Sequence, residues 1–337
     1  MIGPIPPTKN LKNTNIMKKV IFALAAVVAL AACSKEQTVV ADRGDAIGFD
    51  SFIENATRAA ADDFTSVDSF KVWGDVTGNV AGDADYIFLY NGAPVTKGDN
   101  AYGAAWTCGQ TEYWLPSATY KFLAISGATN VDPATGAFPT TISYTADGAT
   151  DLLLSEKVTV TTDNKSNPTG VNTNNCVAFT FKHLLSKVYF NFVNNSKSDN
   201  YKFEISEITI SGAKESGEYS ITDKKWTSVS DDAVDTPFSF GLVANTITKG
   251  ASDPSPSSNA CLFIPGAQTL NVSFKQKTYS GDKLMGDETI TAPLSTSFDA
   301  NGCYIIKVSL SAGMPISFTV EQDGLSGWDN KTDISIP

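Results

Sequence analysis

The sequence predicts an all-β protein built from antiparallel β-sandwiches. Apolar and polar residues alternate with a period of two along several segments, which is typical of strands that bury one face and expose the other. Turn-forming pairs that contain glycine separate these segments at short intervals. The long helical periodicity that a βαβ fold needs is missing. The alternating apolar positions include Val188, Phe190 and Phe192; Leu270, Val272 and Phe274; Tyr304, Ile306, Val308 and Leu310; and Ile316, Phe318 and Val320.

A secretory signal precedes the predicted sandwiches. Two lysines lead into an apolar run from Val20 to Leu30, which is too short to span a bilayer. Small residues then precede Cys33, in the pattern of a lipoprotein cleavage site whose cysteine receives lipid. We therefore assign residues 1–33 to upstream sequence plus a lipoprotein signal peptide. Lipid on Cys33 predicts attachment to a membrane.

Residues 34–58 are predicted to form a lipidated leader that carries the first strand. The segment begins with polar residues, as expected of a tether. Ile47, Phe49 and Ile53 are the apolar positions of a short strand candidate within it.

A small and polar segment around Arg58 and Ala59 follows the leader strand. Its composition predicts an exposed loop that a protease can reach. Arg43 and Arg58 are the only arginines in the sequence. This scarcity has two interpretations: compositional drift, or a folded body that an arginine-specific protease cannot cut.

The chain after Cys33 is long enough for two ordinary domains, and its 42% hydrophobic content supports a real core. A polar segment at 161–175 lies near its middle and is the best candidate for a linker. The predicted domains are therefore 59–170 and 171–337.

Charge and cysteine content narrow the function classes. The formal net charge is −11 and the pI is about 4.6, so the surface repels phosphate backbones and no nucleic-acid partner is expected.

Four cysteines remain besides Cys33. Two disulfides in an oxidising compartment and four small buried thiols are both compatible with their positions. They are Cys108, Cys176, Cys261 and Cys303.

The sequence carries no recognisable catalytic constellation. His183 is its one histidine, so a multi-histidine metal site cannot form. We predict no catalytic residue, no metal and no cofactor. His183 is expected to be a hydrogen-bonded residue where one strand turns into the next.

Several motifs, in their order along the chain, resemble the fimbrillin family, the subunits of Bacteroidales type V pili. Each motif is weak alone, whereas the order and completeness of the set make the match fairly specific. The matching segments are the lipid site at Cys33, Ile47-Gly-Phe49 before Thr57-Arg58-Ala59, Tyr113-Trp114-Leu-Pro116 with Tyr120 and Phe122, Phe179 to Val188, Leu262 to Pro265, Gly302 to Leu310, and Pro315 to Val320 before a Gly-Trp turn.

This resemblance implies two transthyretin-like antiparallel β-sandwich domains in tandem, and assembly by strand exchange. An arginine-specific maturation protease would cut between Arg58 and Ala59 and release the lipid together with the first strand. The groove left behind would accept a strand from another fimbrial subunit, with the C-terminal tail 313–337 as the candidate donor. The apolar side chains of the tail that would fill the groove are Ile316, Phe318 and Val320, or Ile334 and Ile336.

The predicted function is a shaft or tip subunit of an adhesive fimbria. The precursor would be attached to the outer membrane through its lipid before cleavage, and the mature subunit would meet other fimbrial subunits and a host or bacterial surface ligand. The alternative is a monomeric lipid-anchored surface protein that binds host or dietary glycans. In that case Trp328, in a glycine-rich turn, is the best aromatic platform for a sugar ring.

Overall fold

The computed structural model describes residues 44–53, 67–78, 86–98, 106–132, 136–242, 246–250 and 258–322, without the side chains of 52, 53 and 86. These residues belong to one compact unit that spans 42–337. Several predicted site residues lie outside the described residues: Cys33, Arg58, Ala59, Trp328, Ile334 and Ile336.

The all-β prediction is confirmed. Within the described ranges the regular structure consists of strands, and no helix there is long and apolar enough to cross a membrane. The strands are β1 Gly48–Ile53, β2 Ser69–Thr77, β3 Tyr86–Lys97, β4 Trp106–Cys108, β5 Thr119–Ser126, β6 Asn130–Asp132, β7 Thr141–Thr145, β8 Leu153–Ser155, β9 Val158–Thr162, β10 Pro168–Thr169, β11 Cys176–His183, β12 Ser186–Asn194, β13 Tyr201–Ser211, β14 Ser216–Ser220, β15 Lys225–Val229, β16 Phe238–Phe240, β17 Thr246–Thr248, β18 Cys261–Phe263, β19 Gly266–Ser280, β20 Lys283–Phe298, β21 Cys303–Leu310 and β22 Ser317–Gln322.

The first sheet has the strand order β1-β11-β8-β5-β2-β3-β4, with β9 and β10 attached beside β5. The sheet is curved. The ring of Phe49 in β1 packs against Tyr90 in β3 and Phe122 in β5, although neither strand is a neighbour of β1 in the strand order. Most pairings are antiparallel, as expected, but β1 is parallel to β11 and β12 is parallel to β21. A period of two is the same in parallel and antiparallel strands, so the sequence pattern does not reveal this difference.

Two sheets of the C-terminal half form a sandwich. Their orders are β18-β12-β21-β22 and β16-β13-β19-β20, with β17 beside β13. Alternating residues of both sheets meet in one apolar cluster, in which Phe192 packs edge-on against Phe274. The predicted inward faces of these strands are therefore confirmed.

A fourth sheet, β15-β14-β7-β6, combines strands from both halves of the chain. In it Tyr219 lies opposite Ile142, and both belong to a core cluster whose members run from Trp73 to Cys303 along the sequence. Trp73 is buried in this cluster.

The sheets do not change at the predicted linker 161–175. The strand after it, β11, pairs with β8 and β1 in the first sheet, and the change of sheet falls between His183 and Ser186. The division into domains 59–170 and 171–337 stays a prediction, with the correction that the first strand after the linker completes the N-terminal sheet. The reason is that the alternating apolar face of β11 fits that core and buries Val177, Phe179 and Phe181 there.

His183 ends β11 and has the predicted structural role. The residue is 1% exposed, and its Nδ1 hydrogen-bonds Asp151 Oδ2 at 2.5 Å.

The four cysteines of the described body are free thiols, so no disulfide joins any of them in this structure. Burial raises the pKa of Cys261 to about 12, which keeps that thiol protonated and unreactive at neutral pH.

Candidate functional site: the groove of the leader strand

The leader strand β1 lies at one edge of the first sheet. Its register with β11 runs from Gly48 opposite Cys176 to Ile53 opposite Phe181, and β11 is its only neighbour in the described sheet. For Ile53 the structure describes the backbone alone. An edge strand can leave a sheet by breaking one ladder, whereas a central strand must break two.

The residues before β1 are held by a second segment. The Ile47 N–H donates to the Glu112 carbonyl at 2.8 Å, and the Trp114 N–H donates to the Asp45 carbonyl at 3.2 Å. The leader is thus paired on both sides of its path, first with the segment at 112–114 and then with β11.

Phe49 is the central anchor of the leader. It is 4% exposed, and its ring centroid lies 5.4 Å from that of Tyr90, 5.8 Å from Phe179 and 5.9 Å from Phe122. The contacts to Tyr90 and Phe122 are edge-on and the contact to Phe179 is stacked, which are the two favourable geometries for aromatic pairs. Ile47, 5% exposed, joins the same cluster, so two of the three predicted apolar positions of the leader are buried.

The wall of this groove is apolar and uncharged. Burial raises the pKa of Tyr90 far above its usual value, so the phenol stays neutral. Burial also raises the pKa of Tyr120, whose hydroxyl accepts a hydrogen bond from the Leu115 N–H at 2.5 Å. Trp114 is fully buried and packs edge-on against Tyr120. Such a groove binds the alternate apolar side chains of an extended strand.

The outer face of β1 makes a polar contact that sequence reasoning missed. Asn172 Nδ2 donates to Asp50 Oδ2 at 3.0 Å, while Asn172 Oδ1 accepts from the N–H groups of Asn174 and Cys176, both at 3.0 Å. Asn172 therefore ties the leader to the loop that opens β11. An asparagine in a polar segment gives no signal of such a long-range partner.

We expect Asn172→Ala to lower the free energy of unfolding of the uncleaved chain by about 1–2 kcal/mol, since it removes a hydrogen bond to a charged group and two turn contacts. Urea unfolding measures this change. Asn174→Ala is the matched control, because the described contacts of Asn174 use its backbone. Equal stability of the two variants would contradict the assigned role of Asn172.

The candidate donor strand is folded on its own sheet. β22 pairs with β21 at six register positions and is the last strand at that edge. Val320 is 2% exposed, whereas Ile316 and Phe318 are only partly buried against the core. Of the five apolar residues predicted to act as donors, the structure describes these three, and each packs within its own subunit.

The chemistry of the described residues is that of packing and strand pairing. Among them, no group of three or more histidine, cysteine, aspartate or glutamate side chains is arranged to hold a metal ion. The candidate site is the strand register of β1 with β11 together with the aromatic pocket around Phe49.

Comparisons with known proteins agree with this fold. A fimbrial protein from Bacteroides vulgatus aligns with a TM-score of 0.53 at 13% identity, over 84% of this chain and 99% of that chain. Candidate cell adhesion proteins from Bacteroides ovatus and Bacteroides uniformis align at TM-scores of 0.46 and 0.43, with 17% and 18% identity; they cover 86% and 83% of this chain and 99% of each of theirs. At these identities the first likeness shows a shared fold, and the two lower scores add no argument. A search of curated proteins finds no match.

The family comparison covers most of the sequence. The model described as fimbrillin-like matches residues 57–322, which is more than half of the 337 residues and includes β2 through β22. On this evidence the chain belongs to the fimbrillin-like family.

Proposed function

We propose that this protein is a structural subunit of a cell-surface fimbria, and that β1 is a temporary occupant of the groove in which subunits join. The observation that carries the proposal is the position of Phe49: an anchor of an edge strand, buried among three rings that belong to other strands. Removal of β1 would leave an apolar groove beside the unpaired edge of β11. Such an edge is a template for β-augmentation by another chain.

Two features support cleavage between the leader and the rest of the chain. The family match begins at Thr57, next to Arg58, and therefore leaves β1 outside the shared region. Arg43 and Arg58 flank β1, and the sequence after Arg58 contains no further arginine. An arginine-specific protease could then separate the leader and leave the body 59–337 intact.

The proposed sequence of events starts with export as a lipoprotein that is attached to the outer membrane through Cys33. Cleavage after Arg58 releases the lipid and frees β1 from its covalent link. The tail 313–337 of a second copy then enters the groove, so each subunit completes the fold of the next. Association is expected to be strong because the donor completes the fold of the acceptor, and each apolar side chain that leaves water contributes roughly 1.5–3 kcal/mol.

Cleavage of the purified precursor tests this proposal. We expect an arginine-specific protease to yield a body that begins at Ala59 and to convert monomers into polymers, which mass spectrometry and electron microscopy detect. Excess peptide 44–53 should suppress polymer growth by refilling the groove. A lysine-specific protease is the control, since lysines occur throughout the body. A cleaved body that remains monomeric after loss of the leader would overturn strand exchange.

A further inference from the structure

A cavity of about 580 Å³ lies where the first sheet, the fourth sheet and a turn of the C-terminal sandwich meet. Its lining comes from β5, β8 and β11 of the first sheet, from the β14–β15 hairpin, and from the turn before β21. Among the described residues that line it, none belongs to β1, so this cavity is separate from the groove of the leader strand. Its volume is in the range of sites that bind small molecules.

The buried part of the lining is mostly apolar. Leu123, Leu154 and Leu184 are buried members of the core cluster that includes the fourth sheet, and all three line the cavity. Ile221 adds a half-buried aliphatic side chain. Tyr219 is 6% exposed, and burial raises the pKa of its phenol, so this ring adds no negative charge at neutral pH. Such a lining favours a ligand with an apolar body.

Two buried polar residues of the lining have partners within the protein. Ser155 Oγ accepts a hydrogen bond from the Ala124 N–H at 2.9 Å, and His183 Nδ1 is hydrogen-bonded to Asp151 Oδ2. These groups are already used in the fold, so polar recognition of a ligand falls to the rim.

The solvent-facing rim is positively charged. Lys157, Lys182 and Lys224 line the cavity together with one carboxylate, Glu156. Glu156 Oε1 lies 2.8 Å from Lys224 Nζ and 3.9 Å from Lys182 Nζ, and the hydrogen bond from Lys224 lowers the pKa of Glu156, which is therefore ionised at neutral pH. Three ammonium groups against one carboxylate leave an excess of two positive charges, in a chain whose net charge is −11. A local reversal of sign attracts anions.

The charges beside the rim reduce this excess without cancelling it. Lys157 acts on Asp75, but Lys121 lies opposite Asp75 in the strand register and acts on it more strongly. Asp75 and Lys121 together add no net charge. Asp151, the hydrogen-bond partner of His183, lowers the excess by one at most, so the rim stays positive.

Phe138 distinguishes between two kinds of anion. Its ring lines the cavity, but Lys157 Nζ lies 4.6 Å from the ring centroid, and Phe88 packs edge-on against the ring at 5.5 Å. A ring with a cation over its face is not an open platform for stacking a sugar. The cavity therefore suits an anion with an apolar body better than an acidic sugar.

We propose that this cavity binds an amphiphile of the fatty-acid class, with its apolar chain against the leucines of the lining and its single carboxylate at Lys182 and Lys224. The ligand would share these two lysines with Glu156. This site goes beyond the proposed function, since binding here requires neither cleavage at Arg58 nor strand exchange.

Calorimetric titration with dodecanoate, below the concentration at which it forms micelles, tests the site. The protein is the full chain carrying Cys33→Ala, so that no acyl chain attached to Cys33 competes for the cavity. We expect saturable binding that weakens as sodium chloride is raised, because salt screens the exposed lysines. Dodecanol, which has the chain without the charge, should bind about tenfold more weakly.

Two outcomes of this titration would overturn the proposal. The first is absence of saturable dodecanoate binding, or binding of dodecanol with equal affinity. The second is preferential binding of N-acetylneuraminate, a probe for acidic sugars, which we expect to produce no heat.

Variants of the rim separate recognition from folding, because the side chains of Lys182, Lys224 and Glu156 are 44%, 64% and 56% exposed. Lys182→Gln combined with Lys224→Gln should raise the Kd of dodecanoate about tenfold. Glu156→Gln should lower the Kd, since it removes the carboxylate that competes for both lysines. Lys225→Gln is the matched control, because Lys225 is exposed and lies outside the lining. An unchanged Kd in the double variant would contradict the assigned role of the two lysines.

Ala300→Trp tests the location of the ligand. Ala300 lines the cavity and is exposed, so a large side chain there can fill the cavity without replacing a buried residue. We expect loss of dodecanoate binding, an unchanged midpoint of thermal unfolding, and unchanged polymer growth after cleavage at Arg58. Saturable binding that survives Ala300→Trp would overturn this site, whereas failure of the parent chain to polymerise would contradict only the proposed function.

Discussion

Phe49→Ala is expected to destabilise the uncleaved chain by about 3–5 kcal/mol, as for other fully buried phenylalanines. The side chain is 4% exposed and touches rings on three strands, so its loss leaves a cavity that those strands cannot easily close. Urea unfolding of the full precursor measures the effect. The same variant should lose its leader faster after cleavage at Arg58, because the main anchor of β1 is missing.

Phe274→Ala is the matched control for leader release. Phe274 is fully buried in the C-terminal sandwich and packs on Phe192, in a sheet that does not include β1. We expect a similar loss of stability but an unchanged rate of leader release, measured by size-exclusion chromatography and mass spectrometry. If the two variants release the leader at the same rate, Phe49 is an ordinary core residue and not the anchor of an exchangeable strand.

The strand faces could be predicted from the sequence because burial acts residue by residue. Leu270, Val272 and Phe274 are all fully buried, while the residues between them face outward. The same alternation predicts that Ile47 and Phe49 share one face of their strand, and both are buried. A period of two arises whenever one face of a strand is buried and the other faces solvent, and these strands meet that condition.

Strand direction and sheet membership could not be predicted in this way. The parallel pairing of β1 with β11 depends on which groove fits Phe49, and the polar segment 161–175 gives no sign that β11 returns to the first sheet. The contact between Asn172 and Asp50 joins residues 122 positions apart. Such pairs are set by tertiary packing, which local patterns do not encode.

The Cys176–Gly48 contact illustrates the same limit at the candidate site. The sequence suggested a glycine inside a short strand and a cysteine beside an apolar run, with nothing to connect them. Their register would bring a Cβ atom at position 48 within 2.8 Å of the thiol sulfur, so a side chain there would require the thiol to turn.

Arg58→Ala is expected to leave full-length precursor on the cell and to abolish fimbrial polymer. The uncleaved leader is part of the same chain as its groove, so its effective concentration there is on the order of millimolar or higher. A tail from a second copy must compete with that concentration and with the buried Phe49. Cleavage ends the covalent link between β1 and the body, so the leader no longer has this high effective concentration. A donor strand from a second copy can then displace β1.

The measurement is the N-terminal sequence and mass of protein sheared from the cell surface, together with electron microscopy of the same fraction. Arg43→Ala removes the other arginine and should leave polymer formation intact, because cleavage after Arg58 still separates β1 from the body. Arg58→Ala cells that assemble fimbriae of normal length would contradict maturation at this site. Loss of polymer in Arg43→Ala alone, with Arg58→Ala unaffected, would instead place the essential cut before β1, and the leader would then stay attached to the assembled subunit.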